Sequence, residues 1–490
     1  MSPFLIISVM IAYFGLLFIV AMLTSGDSSN ETFFVGKKQS PWYLVAFGMI
    51  GASLSGVTFV SIPGAVGNFN SVNGYFSYMQ LASGYIFGYA VVATVLMPLY
   101  YRLNLTSIYA YLLQRFGFWS HKTGAFFFIL SRTIGASFRL FLAITVLQIF
   151  VFDALHLHFV LNALFTVLLI WAFTTRGGVR TLVFTDALQT TFLIGGLLMV
   201  IYTIAQSLGV GLGGLVQTIT DSEYSKVIFT NPLEARFWAK QFFGGMFIAI
   251  AMTGLDQDLM QKNISCKNIG EAQKNMFTFS GILFFVNLLF VSLGALLYLY
   301  ANAKGIAIPA KTDHLFPTLA LNYFPPLASL LFLLGILSAT HASADAALTS
   351  LTTSFCVDFL GFEKIDQSQT SKQLKRTRHL VHIGFSVLLF AMILLFKYVL
   401  QEDVVSTLFK VATFTYGPLL GLYAFGLFVP KRQLRDTLTP LACVASPVIC
   451  YVLNANAKTW FGGYEFGNEM LILNGFLTFV GLWAISYRQK

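Results

Sequence analysis

One polar segment lies within a stretch of sequence that is otherwise strongly apolar. SATHASADAALTSLTTSFCVD, Ser338 to Asp358, combines the carboxylate of Asp345 with a series of small and hydroxyl side chains. An ionisable residue at the centre of a bilayer costs about 2.5–3.5 kcal/mol on insertion scales, so Asp345 must coordinate, pair or relay a charge to be retained there. The segment therefore predicts an ion site within a membrane.

Further ionisable residues interrupt other apolar stretches. Arg132 and Arg139 are seven residues apart, which places both on one face of a helix. A guanidinium binds a carboxylate through paired hydrogen bonds, and this repays its desolvation only when an anion is present. Two interpretations stay open: Arg139 receives an anionic solute, or it pairs with Asp186 or Asp345 and supports the architecture.

The elements that must position these side chains are membrane helices. The 490 residues are 57% hydrophobic and 10% charged, with a mean hydropathy of +0.74, and repeated runs reach the roughly 20 apolar residues that a span requires. We predict an all-α polytopic membrane protein, one domain over residues 1–490, with about 13 helices. Their expected centres are residues 13, 54, 87, 136, 166, 194, 248, 286, 341, 387, 416, 445 and 479.

Basic residues fall on alternate connections between these spans, as Lys37, Arg115, Arg180 and Arg432 illustrate. The positive-inside rule then predicts an external N-terminus and a cytoplasmic C-terminus. The net charge of +10 follows from the same bias and from contact with anionic lipid headgroups, so we expect the lipid bilayer, and no nucleic acid, as a partner.

Two spans contain residues that break helices. GASLSGVTFVSIPG, Gly51 to Gly64, mixes glycines, hydroxyls and a proline, and the seventh span contains Gly244, Gly245 and Gly254. Paired broken helices supply carbonyl oxygens and helix ends to an ion and a solute near the midplane of inverted-repeat transporters. Membrane helices also use glycine simply for close packing, so transport is favoured over packing alone without being required.

Other functional classes are disfavoured. The chain lacks a phosphate-binding GxxxxGK[ST] loop, a zinc-binding HExxH helix and a GxSxG nucleophile elbow, so we expect no enzyme. Its four cysteines have neither a disulfide framework nor a metal-ligand spacing. A membrane sensor remains a minor alternative.

Three strings carry a resemblance to a known family. GASLSGVTFVSIPG, LTSIYAYLLQRFG (Leu105 to Gly117) and GGVRTLVFTDALQ (Gly177 to Gln189) are similar to signatures of the sodium:solute symporters, and the stretch from Arg139 to Asp186 resembles the bacterial sialic-acid branch. The resemblance implies the leucine-transporter fold, with inverted repeats at 42–205 and 235–428 and peripheral helices near 4–23, 437–453 and 470–487. It also implies Na+ as coupling ion and the bacterial cytoplasmic (inner) membrane as location.

The resemblance implies two sodium sites. The first uses the carbonyls of Gly51, Leu54 and Ala339 together with Ser343, while Ala342 stands where the family has a second serine. The lost hydroxyl leaves the ligation in doubt, and water, Thr340 or Asp345 are candidate replacements.

The second site includes Asp186, and Asp345 stands where the family has a serine. Two adjacent carboxylates repel each other unless a cation lies between them or one is protonated, so either a second sodium ion or a proton is expected there. The remaining alternative is an internal ion pair of Asp345 with Arg132 or Arg139.

The resemblance also implies a substrate site. It places a small organic anion such as sialic acid against Ser53, Ser55, Thr58, Phe76, Gln80 and Arg139, with the arginine on the carboxylate. Interhelical hydrogen bonding is an equal alternative for the three hydroxyls. A sugar or polyol is the second candidate substrate, and the oligomeric state is left open.

The TGLDQDLMQK segment, Thr253 to Lys262, ends the seventh span with three charged residues. A solvated helix end is favoured over a gate latch, and the four-residue spacing predicts a helix pair between Asp258 and Lys262. His341 lies deep in the ninth span, where a neutral packed side chain is favoured over a proton sensor.

Overall fold

The computed structural model describes residues 3–25, 29–362, 367–399 and 404–488, which form α-helices joined by short connections. The first half of the chain contains α1 (Pro3–Thr24), α2 (Asn30–Val35), α3 (Trp42–Ser53), α4 (Gly56–Ala65), α5 (Tyr78–Val91), α6 (Met97–Arg102), α7 (Ala110–Arg115), α8 (Phe118–Leu147), α9 (Phe159–Gly177) and α10 (Val179–Leu208).

The second half contains α11 (Leu212–Thr220), α12 (Trp238–Ala249), α13 (Gln257–Ile264), α14 (Ile269–Ala303), α15 (Leu315–Asn322), α16 (Pro326–Ser354), α17 (Gln367–Val399), α18 (Val404–Phe428), α19 (Thr439–Trp460) and α20 (Met470–Ala484). Two short antiparallel strands, β1 (Arg432–Leu434) and β2 (Ser486–Arg488), pair near the C-terminus.

Within the described ranges, nine helices are long and apolar enough to cross a membrane. A tenth span is formed if the bent pair at Trp42–Ser53 and Thr58–Ala65 counts as one, and shorter apolar helices lie at Phe159–Thr175 and Met470–Ala484. The chain is therefore a multi-pass membrane protein, and the number of 13 spans stays a prediction.

The second predicted span is broken between α3 and α4. Leu54 closes α3 through a 2.8 Å hydrogen bond from its amide to the carbonyl of Ile50, and its own backbone is extended. A methyl group added at Gly56 would lie 2.4 Å from the hydroxyl oxygen of Thr340. Glycine at the start of α4 thus allows the broken helix to approach α16 closely.

The seventh predicted span is also broken, as the glycine pattern indicated. A widened turn at Ile250–Gly254 ends α12, and α13 begins after Asp256, whose side chain accepts a 2.8 Å hydrogen bond from the amide of Asp258. The hydroxyls of Tyr100 and Tyr109 each donate 2.8 Å hydrogen bonds to carbonyls exposed by this break. These bonds satisfy backbone groups that cannot meet water at this depth.

The centre of the bundle is α16. Every residue from Phe332 to Ser354 is buried, and the helix packs against α3, α4, α8 and α10. Small residues permit this packing, since a methyl group added at Gly196 would lie 2.5 Å from the carbonyl oxygen of Leu331. The polar part of this segment, including Asp345, therefore lies in the interior of the protein.

Candidate substrate and ion site

A cavity of about 90 Å³ lies beside the break between α3 and α4. Its lining includes Ser53, Ser55 and Thr58 from the broken helix and Arg139 from α8. The structure thus brings together four of the six residues predicted to bind substrate.

Arg139 has an unusual environment for a buried charge. Its side chain is 8% exposed, and its Nη1 donates a 2.9 Å hydrogen bond to the hydroxyl of Ser343, while its Nε has no partner among the described residues. No carboxylate of the described chain lies within ion-pair distance of it. The alternative in which Arg139 pairs with Asp186 or Asp345 is therefore not realised.

The residues predicted for the first sodium site lie on the broken second span and on α16. Leu54 lines the cavity, Gly51 is held against α10 by a 3.0 Å hydrogen bond from its amide to the hydroxyl of Thr190, and Ala339 and Ser343 lie one turn apart on the buried α16. The hydroxyl of Thr340 donates to the carbonyl of Ile336 at 2.7 Å. The hydroxyl of Ser343 is the predicted ligand that faces Arg139.

The predicted second sodium site contains a cation supplied by the protein itself. The ammonium of Lys262 lies 2.5 Å from Oδ2 of Asp186, and neither side chain is more than 2% exposed. Asp345, which interacts electrostatically with both residues, accepts a 2.7 Å hydrogen bond from the amide of Ala346 at Oδ1.

Several polar atoms around this pair have no hydrogen-bond partner within the described part of the chain. They are Oδ1 of Asp186, Oδ2 of Asp345 and both side-chain polar atoms of Gln189. Buried polar atoms are normally satisfied. Oxygen atoms with spare hydrogen-bonding capacity therefore lie on Asp186, on Asp345, and on Gln189 one turn further along α10.

The predicted helix pair between Asp258 and Lys262 is wrong. Asp258 forms a buried ion pair with Arg132, and Lys262 reaches Asp186 instead. The interpretation of this segment as a solvated helix end is also wrong, because all eight residues of α13 are buried. Partners on α8 and α10 compete better for these side chains than water or the next turn does.

Further polar contacts hold α13 in place. The hydroxyl of Tyr416 donates to Asp256, the amide of Gln257 donates at 2.8 Å to the carbonyl of Thr106, and that of Gln261 donates at 2.8 Å to the hydroxyl of Thr353. The half-helix is thus held by several surrounding elements.

Phe76 and Gln80 are not among the described residues that line the cavity. The amide of Gln80 donates at 3.2 Å to the carbonyl of Arg236, and its oxygen accepts at 3.3 Å from the amide of Phe229. The amide of Phe76 donates at 3.1 Å to the carbonyl of Lys226. Both residues hold the connection between α11 and α12, which we call the outer loop (221–237) after the side of the membrane that the sequence predicts for it.

Some cavity residues were missed by the sequence analysis. Asn287 on α14 lines the cavity with its Oδ1 unsatisfied among the described residues, and Tyr85, Tyr89 and Thr253 also belong to the wall. Asn287 had a detectable signal, because an amide in an apolar span tends to face a partner or a cavity. The tyrosines had none, since they are also typical of membrane interfaces.

His341 is packed in the interior, as favoured. Its Nδ1 lies 2.8 Å from the carbonyl oxygen of Leu337, and its ring makes an edge contact with Phe14 at 4.8 Å between centroids.

Comparison with known proteins agrees with this architecture. The sodium/sialic acid symporter NanT of Aliivibrio fischeri is 23% identical over 95% of this chain and 91% of its own. The human sodium-coupled monocarboxylate transporter 1 is 24% identical over 84% of this chain and 66% of its own.

A solved structure has the same fold. The substrate-bound outward-open state of a Na+-coupled sialic acid symporter superposes with a TM-score of 0.82 at 19% identity, covering 97% of this chain and 96% of the other. The fold is therefore of the leucine-transporter type. The model of the sodium:solute symporter family matches residues 33–436, and the chain belongs to this family of sodium-coupled transporters.

Proposed function

We propose that this sodium symporter imports a small organic anion by alternating access, with sialic acid as the first candidate substrate. The observation that carries the proposal is the state of Arg139, a buried guanidinium at the cavity with no carboxylate partner in the described chain. Its direct partner, the hydroxyl of Ser343, carries no charge, and Asp256 acts on the guanidinium only from beyond ion-pair distance.

The neighbouring arginine provides the contrast. Arg132 also lines the cavity but is neutralised by Asp258. A buried charge without a counter-ion is costly, and a carboxylate that entered the cavity would both neutralise Arg139 and satisfy its free donor. A neutral sugar or polyol would provide hydrogen bonds but no charge, so the anion is favoured.

The rest of the lining suits the neutral part of such a solute. Ser53, Ser55, Thr58 and Asn287 offer hydroxyl and amide groups, which supports binding of a polyhydroxylated body. Ligand pockets usually measure about 300–1,000 Å³, so a cavity of about 90 Å³ must widen to admit sialic acid. Movement of the outer loop away from Gln80 is the motion we propose for this widening.

The size of the cavity favours a second candidate, a small monocarboxylate. A solute of this class would use the same arginine with little expansion of the site. The similarity of this chain to the human sodium-coupled monocarboxylate transporter 1 supports including small monocarboxylates in the test.

We further propose the membrane placement and internal symmetry that the sequence predicts. The chain would lie in the bacterial inner membrane with its N-terminus outside and its C-terminus in the cytoplasm. Residues 42–205 and 235–428 would form the inverted repeats, and α13 would then close the cytoplasmic end of the pathway.

The test is sodium-driven uptake by proteoliposomes. N-acetylneuraminate and pyruvate are compared, each with its methyl ester, for the native chain and for Arg139→Gln. We expect the native chain to prefer one acid over its ester by more than tenfold, and Arg139→Gln to abolish that preference. An equal loss for acid and ester would reject anion recognition by Arg139.

Arg378→Gln is the matched control. Arg378 is also buried, but its Nη1 donates at 3.0 Å to the side-chain oxygen of Asn30, away from the cavity. This variant should lower stability and total uptake while leaving the ratio of acid to ester unchanged.

A further inference from the structure

The contact between Lys262 and Asp186 joins the broken seventh span to the continuous helix α10. Lys262 lies on α13, the second half of the seventh span, and Asp186 lies on α10, which packs against α3 and α16. Their atoms are 2.5 Å apart and fully enclosed. An ammonium is a compact point charge, similar in sign and range of action to a bound alkali cation.

The oxygen atoms of Asp186 and of its neighbours Asp345 and Gln189 resemble those of a cation site. Oδ1 of Asp186, Oδ2 of Asp345 and Oε1 of Gln189 are buried oxygens without a partner among the described residues. Hard cations are held by carboxylate and amide oxygens of this kind. The geometry therefore shows a cluster of candidate ligands whose charge is partly balanced by Lys262.

We infer that Lys262 is a tethered cation that takes the place of a sodium ion at Asp186, so that this site does not bind a second coupling ion. A sodium ion at this carboxylate would be repelled by the neighbouring ammonium, and the repulsion is stronger in an enclosed site than in water. Sodium could then approach Asp186 only after α13 had moved away.

Because Lys262 lies on α13, replacing a sodium ion by its ammonium has a mechanical consequence. The ammonium is carried by the half-helix α13, which contacts α18 through Asp256 and α8 through Asp258. When α13 moves away, the ammonium leaves Asp186. When α13 returns, the ammonium pairs with Asp186 again, and no ion is taken up from the external solution. The site contributes to closure but adds no gradient energy.

The inference rests on the proposed function only for its energetic consequence. One sodium ion moving with one monoanion carries no net charge, so a potential does not drive the cycle, and a tenfold sodium gradient contributes about 1.4 kcal/mol. This predicts accumulation of about tenfold for each tenfold sodium gradient.

The test is the number of sodium ions bound by purified full-length protein without substrate, measured by equilibrium binding of radioactive sodium. We expect one ion for the native chain and one for Asp186→Asn. Lys262→Gln should bind two, because removing the ammonium exposes the carboxylates, and the double variant Asp186→Asn with Lys262→Gln should return to one. Two ions on the native chain and one on Asp186→Asn would overturn the inference.

Asp258→Asn is the matched control, because it breaks the other ion pair of α13 without touching Asp186. It should still bind one ion, and a gain equal to that of Lys262→Gln would reject a specific role for the ammonium. If Lys262→Gln does not fold, the comparison of Asp186→Asn with the native chain decides. If Asp186→Asn binds one sodium ion fewer than the native chain, the inference is refuted, and if both bind the same number, it is supported. Sodium binding is measured without substrate, so the result does not depend on whether the protein transports sialic acid.

Discussion

Arg139 donates a 2.9 Å hydrogen bond to Ser343, so the residue proposed to receive the substrate carboxylate contacts the residue proposed to bind sodium. A carboxylate that draws the guanidinium away would release the serine hydroxyl for sodium and neutralise the nearest positive charge. Sodium bound at Ser343 would in turn favour the position of Arg139 that faces the cavity. Such linkage is reciprocal and typically amounts to 1–3 kcal/mol.

Ser343→Ala should weaken this linkage. In the native chain we expect saturating sodium to tighten binding of the acid by about 5–150-fold, and in the variant by less than threefold. The measurement is titration calorimetry with and without sodium. Ser350→Ala is the control, because Ser350 is equally buried on α16 but donates to the carbonyl of Ala347 at 3.0 Å. If sodium tightens acid binding in Ser343→Ala as much as in the native chain, Ser343 does not couple sodium binding to substrate binding.

The ion pair between Arg132 and Asp258 should be a major element of closure at α13. Removing one member of a buried pair typically costs about 3–5 kcal/mol, so Asp258→Ala should lower the midpoint of thermal unfolding and increase exposure of α13. The measurement is labelling of a cysteine introduced at Met260, a buried apolar residue of α13, by a membrane-impermeant maleimide, together with the melting temperature.

The double variant Arg132→Met with Asp258→Leu separates charge from closure. Replacing both charges by apolar residues usually recovers stability, so its melting temperature should exceed that of Asp258→Ala. If Asp258→Ala melts like the native chain and shows no extra labelling, the pair does not hold α13.

The sequence indicated the breaks in both core helices because glycine, hydroxyl and proline residues disturb an apolar helix locally. It also indicated the cavity role of Ser53, Ser55, Thr58 and Arg139 through their resemblance to family positions. It could not identify the partner of Lys262, since Asp186 is 76 residues away. The nearby Asp258 has the four-residue spacing of a helix ion pair and was therefore the expected partner. A helix-spacing rule ignores a competing carboxylate brought close by tertiary packing.

Close packing between α5 and α12 should depend on Gly84. A methyl group there would lie 2.0 Å from the carbonyl oxygen of Phe242, so Gly84→Ala should destabilise the protein by about 1–3 kcal/mol. Gly281→Ala on α14 is the control, because no atom lies within 4 Å of an added methyl group. Thermal unfolding in detergent should separate the two variants, and equal melting temperatures would contradict the close contact.

Gln80 should control access to the cavity rather than bind the solute. Its two hydrogen bonds to the backbone of Phe229 and Arg236 hold the outer loop, and Gln80→Leu removes both while preserving approximate size. A cysteine introduced at Thr58 should then react several-fold faster with a membrane-impermeant maleimide applied from the outside. Affinity for the acid and its ester should change by the same factor.

Gln148→Leu is the matched control for this experiment. Gln148 is also a buried glutamine whose amide holds a connection, donating at 2.7 Å to the carbonyl of Leu157, but that connection lies between α8 and α9. It should leave labelling at Thr58 unchanged. If Gln80→Leu instead weakens solute binding without faster labelling, Gln80 contacts the solute in another state of the cycle, and the outer loop is held by other residues.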